Sequence, residues 1–126
     1  MRPNKHQVQA SEEMDEAAKL FGERLRRIRE DKGIGLRELA ARIPLSHTAL
    51  GNYELGKRLP SAAALRQIAT GLGVPYEQLE EALFEAQVQA LLRANKRLSP
   101  SSRQQIMNFI RFAEAEDRKA RENARG

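Results

Sequence analysis

The chain has 126 residues, a formal net charge of +5 and no cysteine. Without thiols there are no disulfides, thiolate nucleophiles or cysteine-based zinc sites, so a reducing cytoplasm is the expected compartment. No apolar run is long enough for a signal peptide or a membrane span. The basic excess lies in residues 18–126, the patterned part of the chain, which favours a polyanionic partner such as nucleic acid or an acidic membrane surface.

Residues 1–14 (MRPNKHQVQASEEM) have little apolar content and no period, and are expected as a flexible tail. A first helix is expected from about Asp15 to Lys32, with Phe21, Leu25 and Ile28 on one face and Gly33 as a left-handed cap. Leu36, Leu39, Ala40 and Ile43 then fall on one face of a short second helix, which Pro44 stops because proline cannot donate the next backbone bond. Ser46 is an N-cap for a third helix. There Ala49, Leu50 and Tyr53 pack inward, which leaves His47, Thr48, Gly51 and Asn52 outside. Two short helices joined by a tight break have the layout of a helix-turn-helix, whose second helix enters a DNA groove. Gly51 is unusual, since glycine inside a helix costs about 1 kcal/mol relative to alanine.

Pro60 and Ser61 open a fourth helix carrying Leu65, Ile68, Ala69 and Leu72 as far as Gly73, and Val74, Pro75, Tyr76 and Leu79 begin a fifth. The fifth pattern runs to about Arg97 with an apolar stripe of Leu83, Phe84, Val88, Leu91 and Leu92. Ser99 caps a last helix with Pro100 at its first position, and Ile106, Met107, Phe109, Ile110 and Ala113 form a second stripe. No segment alternates apolar and polar residues as a strand does, so the class is all-α. The expected organisation is a tail over 1–14, a helix-turn-helix domain over 15–80, a helical hairpin over 81–120 and a flexible end over 121–126. One protomer buries such a hairpin on one side only. Leu83, Phe84, Val88, Leu91, Leu92, Ile106, Phe109 and Ile110 are therefore read as a dimerisation surface, the alternative being a hairpin folded back on its own domain.

Residues 20–80 resemble the lambda-repressor-like, XRE-type helix-turn-helix DNA-binding domains, a five-helix fold. Leu25, Ile28, Arg29 and Gly33 match ahead of the motif; Leu39, Ala40, Ser46, Leu50, Tyr53, Glu54 and Gly56 match within and just after it. Pro60, Ser61, Leu65, Ile68, Ala69, Leu72, Gly73, Val74 and Leu79 continue the match. Two positions depart from the pattern: Pro44 stands where the turn usually carries glycine, and Leu36 where many members place a phosphate-binding glutamine.

The resemblance implies that the N-terminal part of the recognition helix reads base edges, which maps onto His47, Thr48 and Asn52. Their chemistry suits the task. Asn bonds an adenine edge in two places, Thr offers a hydroxyl and a methyl, and His donates to guanine N7 or O6. Lys57 and Arg58 fall where the family's loop lies along the phosphate backbone, and Arg37 and Ser46 stand at the starts of the two motif helices; all four are read as backbone contacts. The plainer alternative for each is a solvated surface residue, and that is the reading given to Arg42. The resemblance also makes Arg29 and Glu54 a structural ion pair that fixes the helix angle rather than touching bases.

No glycine-rich phosphate loop, HExxH pattern or nucleophile elbow occurs, and His6 stands alone in the expected tail. No catalysis, cofactor or metal is expected. The sequence thus reads as a DNA-binding transcriptional regulator of bacterial or phage type, a dimeric repressor that brings residues 46–55 to a palindromic operator in double-stranded DNA. The alternative is an antitoxin or adaptor that binds a protein partner through the hairpin, with DNA binding serving autoregulation.

Overall fold

Among the described residues, glycines and helix caps mark out six helices. A computed structural model describes residues 5–125, with side chains from residue 12 onward. The helices are α1 (Lys5–Asp31), α2 (Leu36–Arg42), α3 (His47–Glu54), α4 (Ala62–Leu72), α5 (Tyr76–Ala94) and α6 (Pro100–Arg125). The fold is all-α, with no strand among the described residues.

Three of the five breaks share one hydrogen-bond pattern. After α3, the Gly56 N–H donates to Tyr53 O at 3.1 Å and the Lys57 N–H to Asn52 O at 2.9 Å. This is a Schellman closure, which needs a left-handed residue, and Gly56 supplies it at φ 74°. Gly33 and Gly73 end α1 and α4 in the same way. The serines predicted as caps do cap: the Ser46 hydroxyl oxygen accepts from the Ala49 N–H and the Ser99 oxygen from the Ser102 N–H, and Ser61 at the head of α4 accepts from the Ala64 N–H in the same way.

The centre of the core is Phe21, Leu25, Leu39, Leu50, Ile68 and Leu79, all fully buried and drawn from α1 through α5. Burying each such side chain is worth roughly 1.5–3 kcal/mol. The core continues into Ala82 and Ala86, with Leu83 packed against it. The expected boundary between residues 80 and 81 therefore falls inside one uninterrupted helix. Leu83, assigned to the dimerisation stripe from its spacing, faces this core.

Helix boundaries differ from the sequence reading at both ends. Residues 5–14, expected as an irregular tail, belong to α1. Nucleation is the costly step of helix formation, and Ala17, Ala18 and Phe21 are already buried; each preceding residue then adds a backbone bond for little further entropy. Residues 1–4 of that tail, and Gly126, lie outside the described residues. At the other end α6 continues through the expected flexible end to Arg125, and Arg118 and Arg121 pair with Glu81 on α5. Helix α5 stops at Ala94, short of Arg97, where the Asn95 side chain accepts from the Arg97 N–H and favours a turn.

Helix α1 packs most extensively along α5, where Ala82, Ala86 and Ala90 are buried and Arg93 reaches back to Glu16 at 2.6 Å. Helix α6 runs antiparallel to α5: Arg111 meets Glu85 while Arg118 and Arg121 meet Glu81, and Met107 is buried.

Candidate nucleic-acid interface

Helix α3 is short, and its eight residues cannot hold a fixed direction unaided. Its orientation comes from α1. Leu50 anchors its buried face at 0% exposure. At its end, Arg29 of α1 grips Glu54 with two hydrogen bonds, Nε to Oε2 at 2.7 Å and Nη2 to Oε1 at 2.9 Å. The remaining Nη1 donates to Ile34 O at 2.8 Å. With side-chain exposures of 12% and 7%, this pair is screened far less than a surface ion pair. Its hydrogen bonds to Glu54 raise the Arg29 guanidinium further above its ordinary value, so the charge persists at every accessible pH.

Two glycines complete the seat, and only one matched the family pattern. A Cβ on Gly22 of α1 would lie 2.5 Å from Tyr53 O and 2.6 Å from Glu54 O, so α1 touches the C-terminal carbonyls of α3 directly. A Cβ on Gly56 would lie 2.6 Å from Lys19 Cα. The sequence pattern does not single out Gly22, because a missing side chain leaves no periodic signal. Gly71 does the same for α2, where an added Cβ would strike Ile43 and Leu39. Arg42, read from sequence as a solvent-facing charge, also holds this contact, donating to Gly71 O at 3.1 Å while pairing with Glu38.

The opposite side of α3 is free. Thr48, exposed, and Asn52, half-buried, lie on the side of α3 away from Leu50, and His47 is exposed at the first position of the helix. Gly51 has open space: an added Cβ would find only Leu36 Cδ2, at an ordinary 3.8 Å. The fold itself thus gives no steric reason for a glycine there. Ser46 is exposed, and after capping Ala49 its hydroxyl hydrogen remains available to donate. Lys57 and Arg58 are exposed immediately after the Schellman closure. The Lys57 N–H donates to the Asn52 carbonyl, which ties the cation loop to the end of α3. Arg37 is exposed in the first turn of α2, whose cap residue Gly35 offers no side-chain acceptor to the helix N–H groups. Leu55, 66% exposed beside this surface, was not singled out by the sequence reading.

Outside this surface, Phe84, Leu91 and Phe109 of the expected dimerisation set are exposed, whereas Val88, Leu92, Ile106 and Ile110 are half-buried. Among the described residues no group of three or more His, Asp or Glu side chains is placed to hold a metal ion, and no helix is long and apolar enough to cross a membrane.

A family model described as a helix-turn-helix domain matches residues 20–83, from α1 into α5. The chain is 37% identical over 60 residues to the HTH-type transcriptional repressor RghR of Bacillus subtilis, a match covering 47% of this chain and 44% of that protein. It is 35% identical over 63 residues to the HTH-type transcriptional regulator SutR of Escherichia coli, covering 50% and 35%. It thus spans less than half the length of these two curated relatives. The crystal structure of the clp gene regulator ClgR from C. glutamicum is 29% identical over 54% of this chain and 88% of that one, with a TM-score of 0.49.

Proposed function

The chain belongs to the helix-turn-helix domain family, and from that premise we propose that it is a sequence-specific DNA-binding transcriptional regulator, a dimeric repressor that holds α3 in the major groove of a palindromic operator. The observation that carries this reading is the contrast between the two sides of α3. Its buried side is fixed by Leu50, Gly22 and the Arg29–Glu54 pair, while its outer side offers hydrogen-bonding groups flanked by cations. A helix fixed behind and polar in front suits the reading of base edges, because register is set before contact is made.

In this reading Asn52, Thr48 and His47 meet base edges and determine sequence preference. Ser46, Arg37, Lys57 and Arg58 meet phosphates and supply affinity through counterion release. The relatives named as a transcriptional repressor and a transcriptional regulator support the regulator part of this reading. The exposed apolar residues of the hairpin support a second copy, and two copies bring two reading helices to the half-sites of a palindrome, about 34 Å apart.

The test separates specificity from affinity. Asn52→Ala should lower the preference for the selected site over random DNA by about 1–3 kcal/mol. Lys57→Ala with Arg58→Ala should weaken both kinds of DNA alike and reduce the salt slope by about 0.9 for each phosphate that is no longer neutralised. If Asn52→Ala leaves the preference intact, α3 is not the reading element.

A further inference from the structure

The α5–α6 hairpin leaves one long face uncovered. Phe84 and Leu91 on α5 are 49% and 57% exposed, and Phe109 on α6 is 70% exposed. At 100° per residue, Phe84, Val88 and Leu91 share a stripe of α5 turned away from Ala82, Ala86 and Ala90, the residues packed toward α1. On α6, Ile106 and Ile110 lie on one flank of the buried Met107, next to Phe109. Because the two helices are antiparallel, that flank turns to the same side as the α5 stripe. The result is one apolar surface of roughly 400 Å², taking ~200 Å² for a whole large side chain. Doubled by a second copy, it supplies about half of the ~1,600 Å² that a standard interface buries, leaving the remainder to a polar rim.

The unpaired charge along this face is polarised. Glu81 and Glu85 are engaged by arginines of α6 and Arg93 by Glu16 of α1, which leaves Glu77 and Glu80 at the start of α5 and Lys96 and Arg97 beyond its end. Along the exposed side of α5 the order is Glu77, Glu80, Phe84, Leu91, and then Lys96 and Arg97 at the hairpin tip. Acid comes first, then apolar surface, then base. Glu77, Glu80, Lys96 and Arg97 are all exposed and form no ion pair among the described residues. A stripe with acid at one end and base at the other is complementary to itself only when reversed; laid parallel, it sets acid on acid and base on base.

We infer that this face binds a second copy of the chain in antiparallel register, about a two-fold axis beside Val88, with the acidic end of each hairpin over the basic tip of its partner. The inference rests on the dimer reading above and adds its geometry, which fixes how far apart the two α3 helices stand.

The cysteine-free chain allows a direct test, since Val88→Cys and Lys96→Cys each place a single thiol on every protomer. In the antiparallel dimer Val88 meets its own copy, whereas the two Lys96 positions are about 24 Å apart, from a rise of 1.5 Å per residue on either side of the axis. A short bifunctional thiol reagent should therefore give a covalent dimer with Val88→Cys and none with Lys96→Cys. The reverse result overturns the antiparallel register. No cross-link from either variant, with the wild type dimeric in sedimentation, overturns the choice of face while leaving the dimer intact. A wild type that is monomeric at micromolar concentration removes the dimer reading itself. Charge reversal gives an independent arm. Glu77→Lys with Glu80→Lys should raise the dimer Kd about tenfold, and adding Lys96→Glu with Arg97→Glu should restore it. A quadruple variant as weak as the double one contradicts the register.

Discussion

In the first half of the molecule α3 is held by α1 at Gly22, Gly56 and a nearly buried Arg29–Glu54 pair, whereas in the second half α6 is held on α5 chiefly by half-exposed ion pairs and one buried methionine. Both halves are helical, but they are stabilised differently. The first half closes on itself: its six largest buried side chains come from five helices. The second half leaves Phe84, Leu91, Phe109 and Phe112 about half exposed or more. A helix that must present a fixed polar face requires close backbone contacts and a desolvated pair. A surface that is to be covered by another molecule requires only that its two helices lie side by side.

The comparison is broken most severely at the buried pair. Arg29→Ala leaves Glu54 as an unpaired carboxylate that is only 7% exposed, and should cost about 3–5 kcal/mol in denaturant unfolding. Arg26→Ala, which removes the exposed i,i+4 pair to Glu30, should cost less than about 1 kcal/mol. Equal costs would mean that α3 is not held by its ion pair. Gly22→Ala comes next, at about 1–3 kcal/mol, because its Cβ must displace two backbone carbonyls. Gly51→Ala acts in the opposite direction. Its Cβ would find ordinary contact with Leu36, so thermal melts should show stabilisation of about 0.5–1 kcal/mol.

These residues also show how much the sequence discloses. The apolar period, the serine caps and glycines 33, 56 and 73 mark the helices, because each encodes a local rule that holds whatever the surroundings. The Arg29–Glu54 pair was legible only through resemblance, since nothing local joins residues 25 apart in the chain. Gly22 and Gly71 were not legible: a close approach between helices is a property of tertiary packing, and a missing side chain leaves no periodic signal. The helical start at Lys5 was missed for a related reason, since composition alone does not reveal that an adjacent segment has already been nucleated by packing. In the hairpin the apolar positions recur at helical spacing, but spacing could not distinguish Leu83, packed on the core, from exposed Phe84, or buried Met107 from exposed Phe109.

The hairpin carries its own pH response, smaller than the effects above. Glu114 of α6 has a buried Oε1 without a hydrogen-bond partner. Burial, and then the neighbouring Glu85 carboxylate, push its pKa from 4.5 up to about 7. The folded state therefore holds this proton more tightly than the unfolded chain does. The stability linked to it is complete below about pH 4.5 and is lost as pH rises through 7. Glu114→Gln should remove that slope, and circular dichroism melts should show the variant about 1 kcal/mol more stable than wild type at pH 8 and nearly level with it at pH 5. Parallel curves for the two proteins would place the ionisation elsewhere. The same substitution should leave α3 unaffected, so DNA preference is the control.

The central claim is that a fixed α3 reads DNA sequence as one of a symmetric pair. Selection of bound fragments from a random duplex pool tests it most directly. The account predicts enrichment of a two-fold-symmetric motif whose half-sites are centred about one helical turn, 10–10.5 base pairs, apart, and loss of that motif when the selection is repeated with Asn52→Ala. A pool that shows no enriched sequence, or a motif equally enriched by the variant, would contradict it.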